Sequence, residues 1–242
     1  MKPTNFLCSC LMICALVLVI ASCKKNADKK PDCKIVTLTD VYNTTTTIYN
    51  VSYNNDGKIS TLTTGSSLSV FTYAGNTIII NKTNGGSFSE RDSVTVDNNG
   101  KALNIRQYYD QAATNWDNTI YDYDGNGDLL KSEETSSSSS TPQTTLFTVT
   151  NGNLVSIQTP TYTTTLEYFT DKQAQAGDYL GVVGLVNYGV DLYPHRNMVK
   201  SVTSGTTVTN LNYDVNTDGL VSKLTATSGS TIESIAYQYQ CN

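Results

Sequence analysis

Charge is scarce in this chain of 242 residues. Only 15% of its side chains are Asp, Glu, Lys or Arg, and acidic groups outnumber basic ones by 21 to 16. A nucleic-acid binder that neutralises phosphates needs a basic surplus, and there is none. Ala, Glu, Lys and Leu are too few for a coiled coil or helical bundle. One histidine is present, His195, and HExxH, G-x-S-x-G, P-loop and GxGxxG patterns are all missing. The common hydrolytic, nucleotide and dinucleotide chemistries therefore have no local signature. Within Tyr193-Pro194-His195-Arg196, the lone His reads as a surface or hydrogen-bonded residue rather than a catalyst. No apolar run reaches the roughly 20 residues of a membrane-spanning helix. In place of these features stand 36 threonines, 23 asparagines and 16 tyrosines, a composition that favours strands and turns.

The first 22 residues read as a targeting segment. Lys2 gives a positive start, Leu11 to Ile20 is an apolar run of ten, and Ala21 and Ser22 are small. Ile20-Ala21-Ser22-Cys23 resembles the bacterial lipobox. That resemblance implies cleavage before Cys23 and attachment of lipid to its thiol. Buried acyl chains contribute about 0.8 kcal/mol per CH₂, so two or three of them anchor a protein firmly to a membrane. Residues 23–34 then form the lipidated end and a solvated tether, with Lys24, Lys25, Lys29 and Lys30 against Asp28 and Asp32. Basic residues beside an anchor suit an anionic headgroup surface. Some Bacteroidota lipoproteins displayed on the cell surface carry an acidic run after the lipidated Cys. Here Lys24 and Lys25 hold those positions, and this departure favours an outer-membrane protein that faces the periplasm over one displayed on the cell surface.

Cys8, Cys10 and Cys14 leave with the signal. Cys33 and Cys241 remain at the two ends of the folded region, as a disulfide stapling first and last strands or as two free thiols. Without CxxC spacing they make a poor zinc site.

A phrase recurs from residue 35 to residue 242. It appears as Tyr53-Asn-Asn-Asp56-Gly57, Tyr73-Ala-Gly75-Asn76, Val96-Asp97-Asn-Asn-Gly100, Tyr123-Asp124-Gly125-Asn-Gly127, Val149-Thr-Asn151-Gly152 and Tyr213-Asp214-Val-Asn-Thr-Asp218-Gly219. Gly and Asn tolerate the positive φ of tight turns. The flanks alternate, with Tyr49, Val51 and Tyr53 on one face and Thr, Ser and Asn on the other, as in antiparallel strands with one buried face. The glycines at 57, 75, 100, 127 and 152 are 18 to 27 residues apart, about one hairpin per unit. The expected fold is all-β, a single domain over 35–242. It is a curled antiparallel meander of about 12 to 14 strands, open or closed like a barrel. Residues 178–192, the most apolar stretch of the folded region, interrupt the pattern. Leu180, Val183 and Val186 recur at helical spacing, so a short helix or ordered loop packed inside the curl is expected.

These phrases resemble YD-type repeats. With the lipobox, the Tyr/Asn/Thr bias, Tyr188-Gly189 and the segment Asn197 to Val202, the chain resembles a Bacteroidota lipoprotein family with a porin-like β-fold. The family has no assigned activity, so the resemblance implies a curled sheet around an inserted segment and no catalytic residues. An outer face of Thr, Ser, Asn and charge points to a water-facing barrel, because a transmembrane one needs an apolar lipid-facing band.

The sharpest motif is Asp122-x-Asp124-x-Asn126-Gly127-x5-Glu133, which matches the calcium-loop pattern at every required position. Its flanks are not helical, Lys131 places a cation inside it, and the same frame at other glycines lacks ligands. Turn chemistry is therefore the preferred reading, with no cofactor expected and calcium the alternative. The carboxylate pair Glu133–Glu134 reads as part of a polar loop. The expected function is a non-catalytic envelope module, held at the membrane by its anchor, that is structural or binds a glycan or protein through Tyr and Trp116 faces. The alternative is a secreted hydrolase, which two acids converging in a cleft would favour, or a calcium-dependent binding module.

Overall fold

The computed structural model describes residues 33–241. The expected signal segment, Cys23 and residues 24–32 of the expected tether lie outside the described residues, while Cys33 and Lys34 already belong to the first strand. By internal contacts the chain forms two units, one of which is Lys34–Gln240. The other includes Cys33 and Cys241, which are joined by a disulfide (S–S 2.02 Å) across a separation of 208 residues.

The strands are β1 (Cys33–Tyr42), β2 (Thr45–Tyr53), β3 (Ile59–Thr64), β4 (Ser67–Ala74), β5 (Thr77–Asn84), β6 (Ser87–Val96), β7 (Ala102–Tyr108) and β8 (Trp116–Tyr123), followed by β9 (Leu129–Ser136), β10 (Ser139–Thr150), β11 (Asn153–Gln158) and β12 (Thr163–Gln173). One helix, α1 (Tyr179–Tyr188), precedes β13 (Asn197–Ser204), β14 (Thr207–Val215), β15 (Val221–Ser228) and β16 (Thr231–Cys241). Consecutive strands pair around a closed barrel of sixteen, which β1 and β16 complete. Closure leaves no free sheet edge. The sixteen exceed the twelve to fourteen expected because tight turns at Asn43, Gly65, Gly85, Gly205 and Gly229 also take positive φ without a preceding tyrosine phrase.

Those tight turns form the far rim. The near rim carries the tyrosine phrases and the start of β1. Four near-rim turns share one geometry. The side chains of Asn54, Asp97, Asp124 and Asn216 each accept from the backbone N–H groups two and four residues on. A glycine at positive φ follows in each case, at 57, 100, 127 and 219.

The tyrosines stitch the near rim. Hydroxyls of Tyr53, Tyr73, Tyr123, Tyr168, Tyr213 and Tyr239 donate to the carbonyls of Ile35, Ile59, Ala102, Leu154, Val199 and Val221 at 2.6–2.9 Å. Each acceptor lies two residues past the last backbone pair of its hairpin. The β3–β4 ladder, for example, ends at Thr61↔Val70 while Tyr73 reaches Ile59. The phenol thus supplies the donor that a separating ladder no longer provides. The β5–β6 hairpin ends in Val96 instead, and there the backbone ladder runs on to Thr77↔Thr95 and to Val96 N–H on Asn76 O at 2.8 Å.

Inward side chains such as Leu38, Val51, Ile80, Ile105, Leu129 and Leu211 are buried. Several outward apolar residues stand among polar neighbours. The cross-strand neighbours of Val70 are Thr61 and Asn81, those of Ile120 are Asn104 and Glu133, and those of Leu146 are Lys131 and Gln158. At these three positions the outer wall is mixed in polarity. A closed barrel of this strand number is too wide to fill with wall side chains alone, and residues 177–193 occupy its interior. Gly177 packs against Tyr239 of β16 and Val221 of β15, and Gly189 against Phe71 of β4 and Ile59 of β3. The helix is apolar on nearly every side, as a surrounded helix must be.

Candidate ligand chamber and the groups around it

The inserted segment is fixed at both ends. Asp178 N-caps α1, its Oδ1 accepting from Gly181 N–H at 2.9 Å, and Gly189 closes the helix at φ 66° with its N–H on Gly184 O. No side chain fits at Gly184, where a Cβ would collide with the Val190 carbonyl. Asp178 Oδ2 also accepts from His195 Nε2 at 3.1 Å, while His195 Nδ1 faces the Tyr193 carbonyl at 2.9 Å. Both partners of the imidazole are acceptors, so only the doubly protonated ring satisfies both contacts. Burial alone would lower the His195 pKa, but the bond and charge of Asp178 raise it above the ordinary value. Asp178 is fully buried. A buried ion pair therefore joins the start of the insertion to its end.

Between α1 and the wall of β7 to β12 lies a chamber of about 400 Å³. Tyr121, Tyr162, Tyr188, Tyr193 and Phe147 supply aromatic surface, and Gln107, Thr119, Ser132, Glu134, Thr145 and Asn187 supply polar groups. The Phe147 and Tyr193 rings are 6.1 Å apart and tilted by 45°. Burial is the main reason the Tyr121 hydroxyl holds its proton far above the usual phenol range, and nearby Glu134 adds to the effect. Thr159 and Tyr162 belong to the far-rim β11–β12 turn, which places the mouth of the chamber at that rim.

A charged wall stands beside the chamber. Lys82 Nζ lies 2.6 Å from Glu90 and 2.7 Å from Asp92, and Gln107 donates to Glu90 at 3.2 Å. Asp92 is completely buried. Burial, with Glu90 adding to it, pushes its pKa up to about 7 against the pull of Lys82. Burial would raise Glu90 as well, but bonds from Asp92, Lys82 and Gln107 hold it below the ordinary range. Asp92 thus retains the proton of the pair. The field of Asp92 reaches Tyr188, whose hydroxyl, mainly through burial, is pushed up to about 12.

The residues of the calcium motif form the β8–β9 hairpin. Asp124 Oδ1 is occupied by the N–H groups of Asp128 and Asn126, which hold its carboxyl below the usual range. Asp122 and Glu133 lie on the outer wall, bridged by Lys131 at 3.2 and 2.7 Å. The cation that the sequence places inside the loop sits between two of the motif's acids, and Asn126 contributes its N–H to the turn rather than an oxygen ligand. The pair Glu133–Glu134 belongs to β9 and not to a loop. The two side chains therefore part, Glu133 to solvent and Glu134 to the chamber. The sequence did not mark Asp178, Lys82, Glu90 and Asp92 as members of charged clusters. They are isolated acids and a lysine in strand or turn context; pairing of β5 with β6 brings Lys82 to Glu90 and Asp92, and the fold of the insertion brings Asp178 to His195.

A closed antiparallel barrel with an internal helical plug is a porin-like architecture. The chain is similar to a porin-like protein from Bacteroides uniformis ATCC 8492, with a TM-score of 0.65 and 13% identity over 85% of this chain and 98% of that one. It is also similar to a porin-like protein from Bacteroides vulgatus ATCC 8482, with a TM-score of 0.58 and 15% identity over the same shares. At these identities the likeness concerns the fold. No family model and no curated protein matches the chain.

Proposed function

We propose that this protein is a lipid-anchored component of a bacterial envelope, tied to the membrane through Cys23, whose barrel stands in water and holds a small glycan or peptide fragment in its chamber. The chamber carries the reading. It presents aromatic faces, hydroxyls, amides and one carboxylate in a space of about 400 Å³, the chemistry with which proteins bind hydroxyl-rich ligands. Two further observations support it. Single apolar residues set among Thr, Asn and charge suit a water-facing wall, and an anchor is what such a barrel needs to stay at a membrane. A calcium-dependent version is not supported, because Lys131 already bridges Asp122 and Glu133.

The test is a glycan and peptide array probed with the whole mature chain, repeated with Asn187→Ala and Glu134→Gln. Binding that both variants lose while the far-ultraviolet spectrum is kept supports the chamber. Binding indifferent to both refutes it. Cys23→Ala is expected to move the protein from the membrane to the soluble fraction, and a wild-type protein already wholly soluble refutes the anchor. The convergence of Glu90 and Asp92 favours a second reading, a hydrolase. Turnover of an array ligand that Asp92→Asn abolishes would establish it. The complete burial of Asp92 and its pairing with Lys82 weigh toward binding.

A further inference from the structure

Outside the barrel, on β6, β7 and β8, four side chains form a stack. The Arg91 guanidinium lies 4.6 Å from the centre of the Tyr108 ring. Arg106 lies 5.4 Å from the same ring and 4.1 Å from the centre of the Trp116 ring. Register puts them on one face. Arg91, Tyr108 and Trp116 make one cross-strand row, Ser93, Arg106 and Asn118 the next, and Thr95, Asn104 and Ile120 the third. Inward neighbours Asp92, Val94 and Ile105 are buried, so the rows face out.

The charge here runs against the rest of the domain. From Ile35 onward 19 acidic side chains face 10 basic ones, and the chain has only three arginines. Two of those three stand in this stack beside the only tryptophan. Among the described residues neither Arg91 nor Arg106 has a carboxylate partner or an acceptor for its N–H groups. A guanidinium has five donors in a planar fork that matches a carboxylate. Stacking on a ring fixes the plane and leaves the outer edge free, so little rotamer freedom remains to be lost on binding. Successive rows on a strand are about 6.7 Å apart, and three rows span about 13 Å, the reach of a short oligosaccharide rather than of a single ion. The amides of Asn104 and Asn118, bonded to each other at 3.0 Å, continue the strip with groups suited to sugar hydroxyls.

We propose that this strip is a binding site for an acidic saccharide, a uronate-type carboxylate taken by the Arg91 and Arg106 forks and the following ring laid along the Asn104 and Asn118 amides. The site is separate from the chamber and does not depend on it. Trp116 is its own reporter. Titrating the whole mature chain with a trimer of galacturonic acid is expected to shift tryptophan emission to saturation, with an affinity that falls as salt rises. Arg106→Gln and Arg91→Gln should each weaken binding about tenfold or more. Arg91→Lys, which keeps the charge at a half-buried position but loses the fork, should weaken it measurably and leave the fold intact. Glu134→Gln should change nothing, which separates this site from the chamber. The proposal is overturned if the neutral galactose trimer binds as well as the uronate, if the arginine variants bind normally, or if poly-glutamate alone binds, which would make the partner an acidic peptide.

Discussion

Replacing His195 by Ala removes one half of the pair that joins the two ends of the plug. Asp178 has no exposed surface, and the His195 side chain is 9% exposed, so solvent cannot take over the lost contact. Stripping one partner from a buried ion pair typically costs about 3–5 kcal/mol, because the other charge stays behind uncompensated. Asp178 keeps the Gly181 and Gln175 N–H groups, which places the expected loss near the lower figure. The pH dependence has a definite sign. His195 binds its proton more tightly folded than unfolded, so the contribution is complete below the unfolded value of about 6.5 and fades as pH rises through the raised folded value. Asp191 and the Tyr193 carbonyl also favour the charged ring. Urea unfolding of wild type and His195→Ala at pH 6 and at pH 9 measures the difference. Amide exchange at Val182 and Gly189, whose N–H groups bond within the plug, reports whether opening is local. A difference under about 0.5 kcal/mol at pH 6, or one that grows with pH, would refute a protonated latch.

Three other outcomes follow from the same geometry. Tyr213→Phe removes a buried hydroxyl from the Val199 carbonyl at 2.8 Å and should lower stability by about 0.5–1.5 kcal/mol in urea unfolding, whereas Tyr42→Phe, at an exposed position, should leave the midpoint unmoved. Replacing both Cys33 and Cys241 by Ser opens a loop of 208 residues and should cost about 5 kcal/mol by loop entropy, measured against the oxidised chain in guanidinium. Lys82→Met leaves Glu90 and Asp92 facing each other without their cation, a loss of about 3–5 kcal/mol at pH 8. Because Asp92 takes up its proton below about 7, that loss should shrink at pH 5, and an equal loss at both pH values would refute the coupling.

Much of the barrel was written locally. Asn-Gly and Asp-x-x-Gly phrases prescribe their own turns, and the alternation of Tyr49, Val51 and Tyr53 prescribes which face is buried. Residues 178–192 also declared themselves, since a stretch apolar on every side belongs inside something. The helix buries Leu180, Val182 and Gly184 rather than the Leu180, Val183, Val186 stripe that its spacing suggests, because surrounding walls remove the need for one apolar face. What stayed hidden was non-local. The partner of each stitching tyrosine lies 14 to 21 residues upstream, and Lys82, Asp92 and Gln107 meet only across three strands. Glu133 and Glu134 look alike in the sequence and differ only in the parity of their strand position.

Since each strand pairs only with its chain neighbours and β1 meets β16, no strand is privileged as the first. With the Cα atoms of Cys33 and Cys241 4.0 Å apart, the two ends of the barrel can be spliced and the ring reopened at a far-rim bend such as Gly205 or Gly229. The starting point of such a chain is a matter of inheritance, and a membrane tether could be grafted at whichever bend should face the lipid.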